Sequence, residues 1–332
     1  FSKLTNAYND FGGGAISIRS SADNKKTKLI IEGCTFDDVH TNKGDGGAIC
    51  FCPENINDND FCSITVTDTI FKSTYLLDDN SNGQAIFIGS TWSKSNYIKG
   101  CTFIDCCNEK KNKYAVYLNV ENIEFSSNKM DFLNANQNHG CVYSSGAKSH
   151  VYNHNIFHNA NAESNFSAGI HIENPSSELQ ITMINNTFDC IFGSSQCRCF
   201  MINCPNKNGL NIRNNTIQNC NSGGVLFQII FKTIIEVYTI DSFRFTKNSV
   251  DSNWLSFMEV TPQILILQQV ENENYYDRMK LVFNNCYFDN NENPNNGGAI
   301  CYGKTRFTAL TSIHFFLCKF IENHAMKAGG AL

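Results

Sequence analysis

The stretch Cys286-Tyr287-Phe288-Asp289-Asn290-Asn291, followed by Gly297-Gly298-Ala299-Ile300, returns 32 residues later. It reappears as Cys318-Lys319-Phe320-Ile321-Glu322-Asn323 with Gly329-Gly330-Ala331-Leu332. Two short motifs alternating at a regular interval mark a repeat architecture. Both extend back through the chain. Gly-Gly-Ala plus an apolar residue recurs as Gly13-Gly14-Ala15-Ile16 and Gly46-Gly47-Ala48-Ile49, with looser copies at Gly83-Gln84-Ala85-Ile86 and Gly223-Gly224-Val225-Leu226. The Phe position can be followed through Phe36, Phe71, Phe103, Met130, Phe157, Phe188, Ile217, Phe245, Phe288 and Phe320, about 32 residues per repeat.

The apolar residues alternate with period two, as in Ile16 and Ile18 or Leu29 and Ile31. The segments are short, β-branched or aromatic, and bounded by Gly, Asn, Asp and Ser, which is strand patterning. A unit of several short strands cannot close its own core and must stack on its neighbours. The sequence therefore predicts an all-β fold: a right-handed parallel β-helix of about ten coils, with residues 1–332 as one segment of a longer chain. Lateral loops are expected near residues 52–62 and 261–280, the second holding an extra apolar strand over residues 264–267.

Composition narrows the function. The 332 residues include 46 Asn, 16 Cys and 26 Phe, with a net charge of −5. The chain is too apolar and aromatic for disorder. The mild acidity excludes a phosphate-reading surface, so no nucleic-acid partner is expected. The most apolar stretch, residues 225–240, carries Gln228, Lys232 and Glu236 and is too short to span a membrane.

Aligned coils place equivalent residues in columns. Two before the Phe position stand Asn128, Asn155, Asn186 and Asn215, a candidate asparagine ladder. Cys286 and Cys318 share that column on adjacent coils, where they read as small buried residues or as a disulfide. Cys52 and Cys62 bound a polar excursion that a second disulfide would close. After Gly-Gly-Ala, an aliphatic column (Ile49, Ile86, Val116, Val142, Ile170, Leu226) should face the core. The next column should face outward, with Phe87, Tyr117, Tyr143, Phe227 and Phe257 as a surface for stacking sugar rings or for association with another chain, unless a loop covers it.

Glycosylation sequons begin at Asn165, Asn185 and Asn214, the last two in one column. With the cysteine content they suggest an extracellular or cell-surface location. No cofactor is expected. No metal site is expected either, because paired Cys-x-x-Cys knuckles are missing and the spacing of His150, His154 and His158 does not converge on strands. The best catalytic candidate is the column just after the Phe position, which stacks Asp131, His158 and Asp189. Two carboxylates around a histidine could serve acid/base chemistry on a polysaccharide. Against this, no Asp-x-Asp pair or basic cluster supports them, and the arginines are scattered.

The alternation of Gly-Gly-Ala-Ile with Phe-x-x-Asn, the latter at Phe245-Thr246-Lys247-Asn248, Phe288-Asp289-Asn290-Asn291 and Phe320-Ile321-Glu322-Asn323, resembles the polymorphic membrane proteins. These are repetitive surface adhesins with a parallel β-helical passenger region. The resemblance covers essentially the whole chain, with degenerate middle coils. It implies a non-enzymatic surface protein for adhesion or for assembly of a surface structure, fibrous if coils stack end to end. Its partners would be neighbouring coils of a longer chain or other subunits, in a homo-oligomer or fibre, and glycans. The alternative is a carbohydrate-active β-helix enzyme, a polysaccharide lyase or glycoside hydrolase.

Overall fold

In the computed structural model the chain is an all-β parallel solenoid, with no α-helix among the described residues. These are residues 3–5, 7–9, 12–19, 26–53, 61–78, 80–89, 93–106, 113–132, 139–146, 148–162, 167–173, 178–193, 198–204, 209–222, 226–231, 237–250, 264–268, 279–293, 298–300, 310–326 and 329–330. Each coil visits three faces. The first is a 10-stranded sheet running from Lys26–Glu32 to Leu310–Phe316. The second is an 11-stranded sheet of three-residue strands from Lys3–Thr5 to Lys319–Ile321. The third belongs to a 15-stranded sheet that begins at Ile16–Arg19. Seven consecutive turns between residues 26 and 231 each give one strand to all three faces.

The Phe position forms one register column on the second face. Phe36 pairs with Phe71, Phe71 with Phe103, Phe103 with Met130, and so on to Phe288 with Phe320. Parallel in-register pairing puts identical rings one strand spacing apart, and they stack. Phe36 and Phe71 lie 5.1 Å apart, Phe157 and Phe188 4.9 Å, and Phe245 and Phe288 5.0 Å.

Most three-residue strands on this face are bracketed by left-handed corners, Lys129–Asp131 having one only on its N-terminal side. Asn185 (φ 58) precedes the strand Thr187–Asp189 and Cys190 (φ 53) follows it; Asn214 (φ 55) and Asn219 (φ 53) do the same one coil on. Asn, Asp and Gly tolerate this conformation best, so the corners absorb part of the Asn excess.

The Gly-Gly-Ala motif has a steric cause. Gly46 has φ +75, and a Cβ there would lie 2.1 Å from the Ile49 carbonyl oxygen. A Cβ on Gly47 would lie 2.0 Å from the Gln84 carbonyl oxygen of the next coil. The first glycine makes the turn and the second lets the coils touch.

Ile49, Ile86, Val116, Val142 and Ile170 form one inward column of fully buried side chains on the third face. Leu226 is likewise fully buried in the core, but the outward placement of Phe227 fails. Phe200 pairs with Ile170 and Phe227 pairs with Phe200, so Phe227 continues the inward register and Gln228 follows Met201 in the outward one. The degenerate Gly223-Gly224-Val225-Leu226 motif stands one residue out of register with the Gly-Gly-Ala copies, and a one-residue slip exchanges the faces of the strand that follows. Phe257 lies outside the described residues. The apolar strand expected in the second lateral loop is Ile264–Gln268, and it is a regular third-face strand paired with Phe227–Phe231.

His150 stands in a largely aliphatic column of the first face, between Ile123 and Ile181, and is fully buried. Its Nδ1 meets the Ser144 hydroxyl at 2.7 Å, and its Nε2 lies 3.2 Å from the Val120 carbonyl oxygen. One neutral tautomer satisfies both contacts: Nε2–H donates to the carbonyl and Nδ1 accepts from the hydroxyl. Burial lowers its pKa from 6.5 to about 4. The unfolded chain therefore takes up a proton that the folded chain refuses. This stability is complete above about pH 6.5 and is lost as pH falls toward 4, a change on the order of 3 kcal/mol. Urea unfolding between pH 7 and 4 should show the drop, and H150N should flatten it.

Candidate functional site

The candidate residues fall into three groups: ladders, an aromatic strip and a polar cluster. In the first ladder the Asn128 Nδ2 donates to Asn155 Oδ1 at 3.2 Å, Asn155 to Asn186 at 2.9 Å, and Asn186 to Asn215 at 3.0 Å. Each Oδ1 also accepts the backbone N–H of the preceding ladder residue. Each Nδ2 also donates to a carbonyl of the preceding coil, as Asn155 does to Phe125. A second ladder closes the other end of the same strands. Asn248 donates to Asn291 at 3.0 Å and Asn291 to Asn323 at 2.9 Å. This is the Asn of Phe-x-x-Asn, so its signal stood in the sequence at a fixed offset from the Phe.

The cysteines share these columns and do the same work. Cys286 Sγ lies 3.5 Å from the Ile240 carbonyl oxygen and Cys318 Sγ 3.4 Å from that of Phe283, matching Asn215 Nδ2 on Met183. In the second ladder Cys220 Sγ sits 3.6 Å from the Phe188 carbonyl oxygen. The expected disulfides Cys286–Cys318 and Cys52–Cys62 are not formed; the twelve cysteines whose side chains are described are free thiols. Cys286 and Cys318 are engaged as ladder donors. The Cys52 thiol hydrogen-bonds to Cys50, two residues back on the same side of the strand.

The aromatic strip is the outward column of the third face. Phe87 stacks on Tyr117 with centroids 5.4 Å apart, and Tyr117 on Tyr143 at 4.5 Å, with 19° and 17° between ring planes. All three are half-buried. His171 meets Tyr143 edge-on at 5.2 Å, and the Tyr143 hydroxyl donates to Glu173 at 3.0 Å. The rings use their faces on one another and present their edges. A strip of this form offers hydroxyls and apolar edges instead of open faces for sugar stacking, which corrects that part of the expectation. Cys50, in the same column, is buried.

The polar cluster lies on the second face. Asp131, His158 and Asp189 occupy one register column on three successive coils, and their side chains converge. His158 Nδ1 lies 3.2 Å from Asp131 Oδ1, and His158 Nε2 lies 3.9 Å from Asp189 Oδ2. Asn159 donates to Asp131 Oδ1 at 3.0 Å, and Lys129 Nζ is 3.4 Å from Asp131 Oδ2. Asn219 donates to Asp189 Oδ1 at 2.8 Å. Burial pushes the Asp131 carboxyl up, but hydrogen bonds from Asn159 and His158 and the charge of His158 outweigh it and leave the group below its ordinary range. Asp131 is thus held ionised. Cys190 Sγ, which the column reading missed because it sits on the following corner, lies 3.5 Å from Asp189 Oδ1.

The sequon residues Asn185 and Asn214 share one corner column on adjacent coils. Asn214 is exposed, while Asn185 is half-buried with its Nδ2 3.0 Å from His154 Nε2. Asn165 lies outside the described residues. His150, His154 and His158 fall on the first face, on a corner and on the second face respectively. No protein-family model, curated protein or solved structure matches the chain.

Proposed function

We propose that this chain is a non-enzymatic, rigid solenoid that serves adhesion or assembly of a surface structure, as its resemblance to the polymorphic membrane proteins implies. The observation that carries this reading is how the repeat spends its conserved-spacing residues. Phe rings, Asn amides, thiols and the Phe87–Tyr117–Tyr143 stack all bond coil to coil, which stiffens a rod and exposes one continuous strip of ring edges. The strip, with the Tyr117 and Tyr143 hydroxyls and Glu173 along it, is the contact surface, and a polyhydroxylated glycan surface is the partner its chemistry suits. An extracellular or surface location rests on the exposed sequon at Asn214, because the cysteines support the ladders instead of disulfides.

Retention of the chain on immobilised polysaccharides tests this. Y117F with Y143F removes two hydroxyls and keeps the stack, so binding should fall about tenfold, at about 0.5–1.5 kcal/mol per lost hydrogen bond. Unchanged retention, or none by the wild type on any polysaccharide, would contradict the reading.

The convergence of Asp131, His158 and Asp189 favours a second reading, a carbohydrate-active enzyme. Its weak point is the general acid. A carboxyl that gives up a proton near neutral pH needs a raised pKa, whereas Asp131 is held below the ordinary range. Release of new reducing or unsaturated sugar ends, abolished in D189N, would establish this second reading.

A further inference from the structure

We infer that His158, Asp189 and Cys190 form a zinc site in which Asp131 orients the histidine. The three donor side chains each offer one atom, and these atoms lie within 4.8 Å of one another. A tetrahedral zinc with arms of about 2.0–2.3 Å needs donors about 3.3–3.7 Å apart. The 3.9 Å between His158 Nε2 and Asp189 Oδ2 is close to that separation. An imidazole, a carboxylate and a thiolate together suit a borderline-soft ion such as zinc and poorly suit calcium or magnesium.

A second observation points the same way. A ligating histidine ordinarily gives its other ring nitrogen to a carboxylate, which fixes the tautomer and aims the free lone pair at the metal. Asp131 stands at that nitrogen, with Oδ1 3.2 Å from Nδ1, and the Asn159 amide nitrogen lies 3.0 Å from the same Nδ1. Asp131 is fixed in turn by Asn159 and Lys129. Asp189 is held by Asn219 at the oxygen turned away from the histidine.

The third observation is the corner itself. Cys190 adopts φ 53, at a corner held in other coils by Asp38, Ser73, Asp105, Asn159, Asn219, Lys247, Asn290 and Glu322. Asparagine suits this backbone better than cysteine does. The ladder cysteines point to carbonyls, whereas Cys190 points to Asp189 beside His158. A thiol at this corner, beside Asp189 and an imidazole of the adjacent coil, has a ready explanation as a ligand. Such an ion would clamp two adjacent coils, with Asp131 on a third. This inference is independent of the glycan reading.

Cobalt titration of the full chain, followed by absorption, tests it. One equivalent should bind and give a thiolate-to-cobalt charge-transfer band, and zinc should displace the cobalt and raise the melting temperature. C190N, which places the favoured residue at the corner, should fold, lose the band and show no zinc-dependent rise. D131N should keep the band and weaken cobalt affinity about 10–100-fold. H158Q should weaken affinity at least as much as D131N. A missing band in the wild type, or a band that survives in C190N, overturns the site. An unchanged affinity in D131N overturns the orienting role.

Discussion

Replacing Asn155 with leucine is expected to cost about 3–5 kcal/mol of stability, read as a lower urea midpoint, because two or more buried polar groups lose their partners at about 1–3 kcal/mol each. The amide is fully buried. Its Nδ2 donates to the Phe125 carbonyl at 2.8 Å and to Asn186 Oδ1, while its Oδ1 accepts from both the backbone and the side chain of Asn128. Leucine fills the space but leaves the Phe125 carbonyl and the Asn128 N–H without this amide. Asn155→Cys should cost less, about 1–2 kcal/mol, since a thiol can still donate to the carbonyl of the preceding coil. Cys101 and Cys286 already do so at this column. If the leucine and cysteine variants were equally stable, the ladder would be packing and not hydrogen bonding.

Truncating Phe188 to alanine should be comparably severe, about 3–5 kcal/mol by the usual cost of a large cavity. Its ring is fully buried, 4.9 Å from Phe157 and 5.5 Å from Phe200. Collapse is limited because the strands on either side are fixed by parallel pairing. Phe188→Met should cost less than about 1.5 kcal/mol, because the swap nearly conserves volume. Met130 holds the same column, equally buried. Thermal or urea unfolding of the two variants separates a cavity effect from a lost ring stack: a methionine variant as damaged as the alanine one would assign the cost to stacking.

The columns were legible in the sequence where a strong anchor kept the count. The Phe position tolerated insertions in the loops because its own strand is three residues long and nearly always lies between two corners. Everything at a fixed offset from it could therefore be placed, including Asn128 to Asn215 and the Asp131, His158, Asp189 column. The second ladder sits at an equally fixed offset, in Phe-x-x-Asn, but that motif alone does not show that its amides stack. The third face lacks such an anchor, since its strands vary in length and the Gly-Gly motif degenerates, and there Phe227 was misplaced by one residue. The cysteines misled for a chemical reason. Cysteine alternating with asparagine in one column is a donor substitution, and its redox chemistry is secondary to that role. Cys190 was invisible to a column reading because its corner has no side-chain requirement beyond tolerance of positive φ.

The central claim is that adjacent coils are bonded through the stacked amides, so that neighbouring ladder residues act together. A double-mutant cycle on Asn155 and Asn186, each changed to alanine and followed by urea unfolding, measures this directly. The direct Nδ2 to Oδ1 bond of 2.9 Å predicts a coupling energy of at least about 1 kcal/mol. Additivity within about 0.5 kcal/mol would contradict the account.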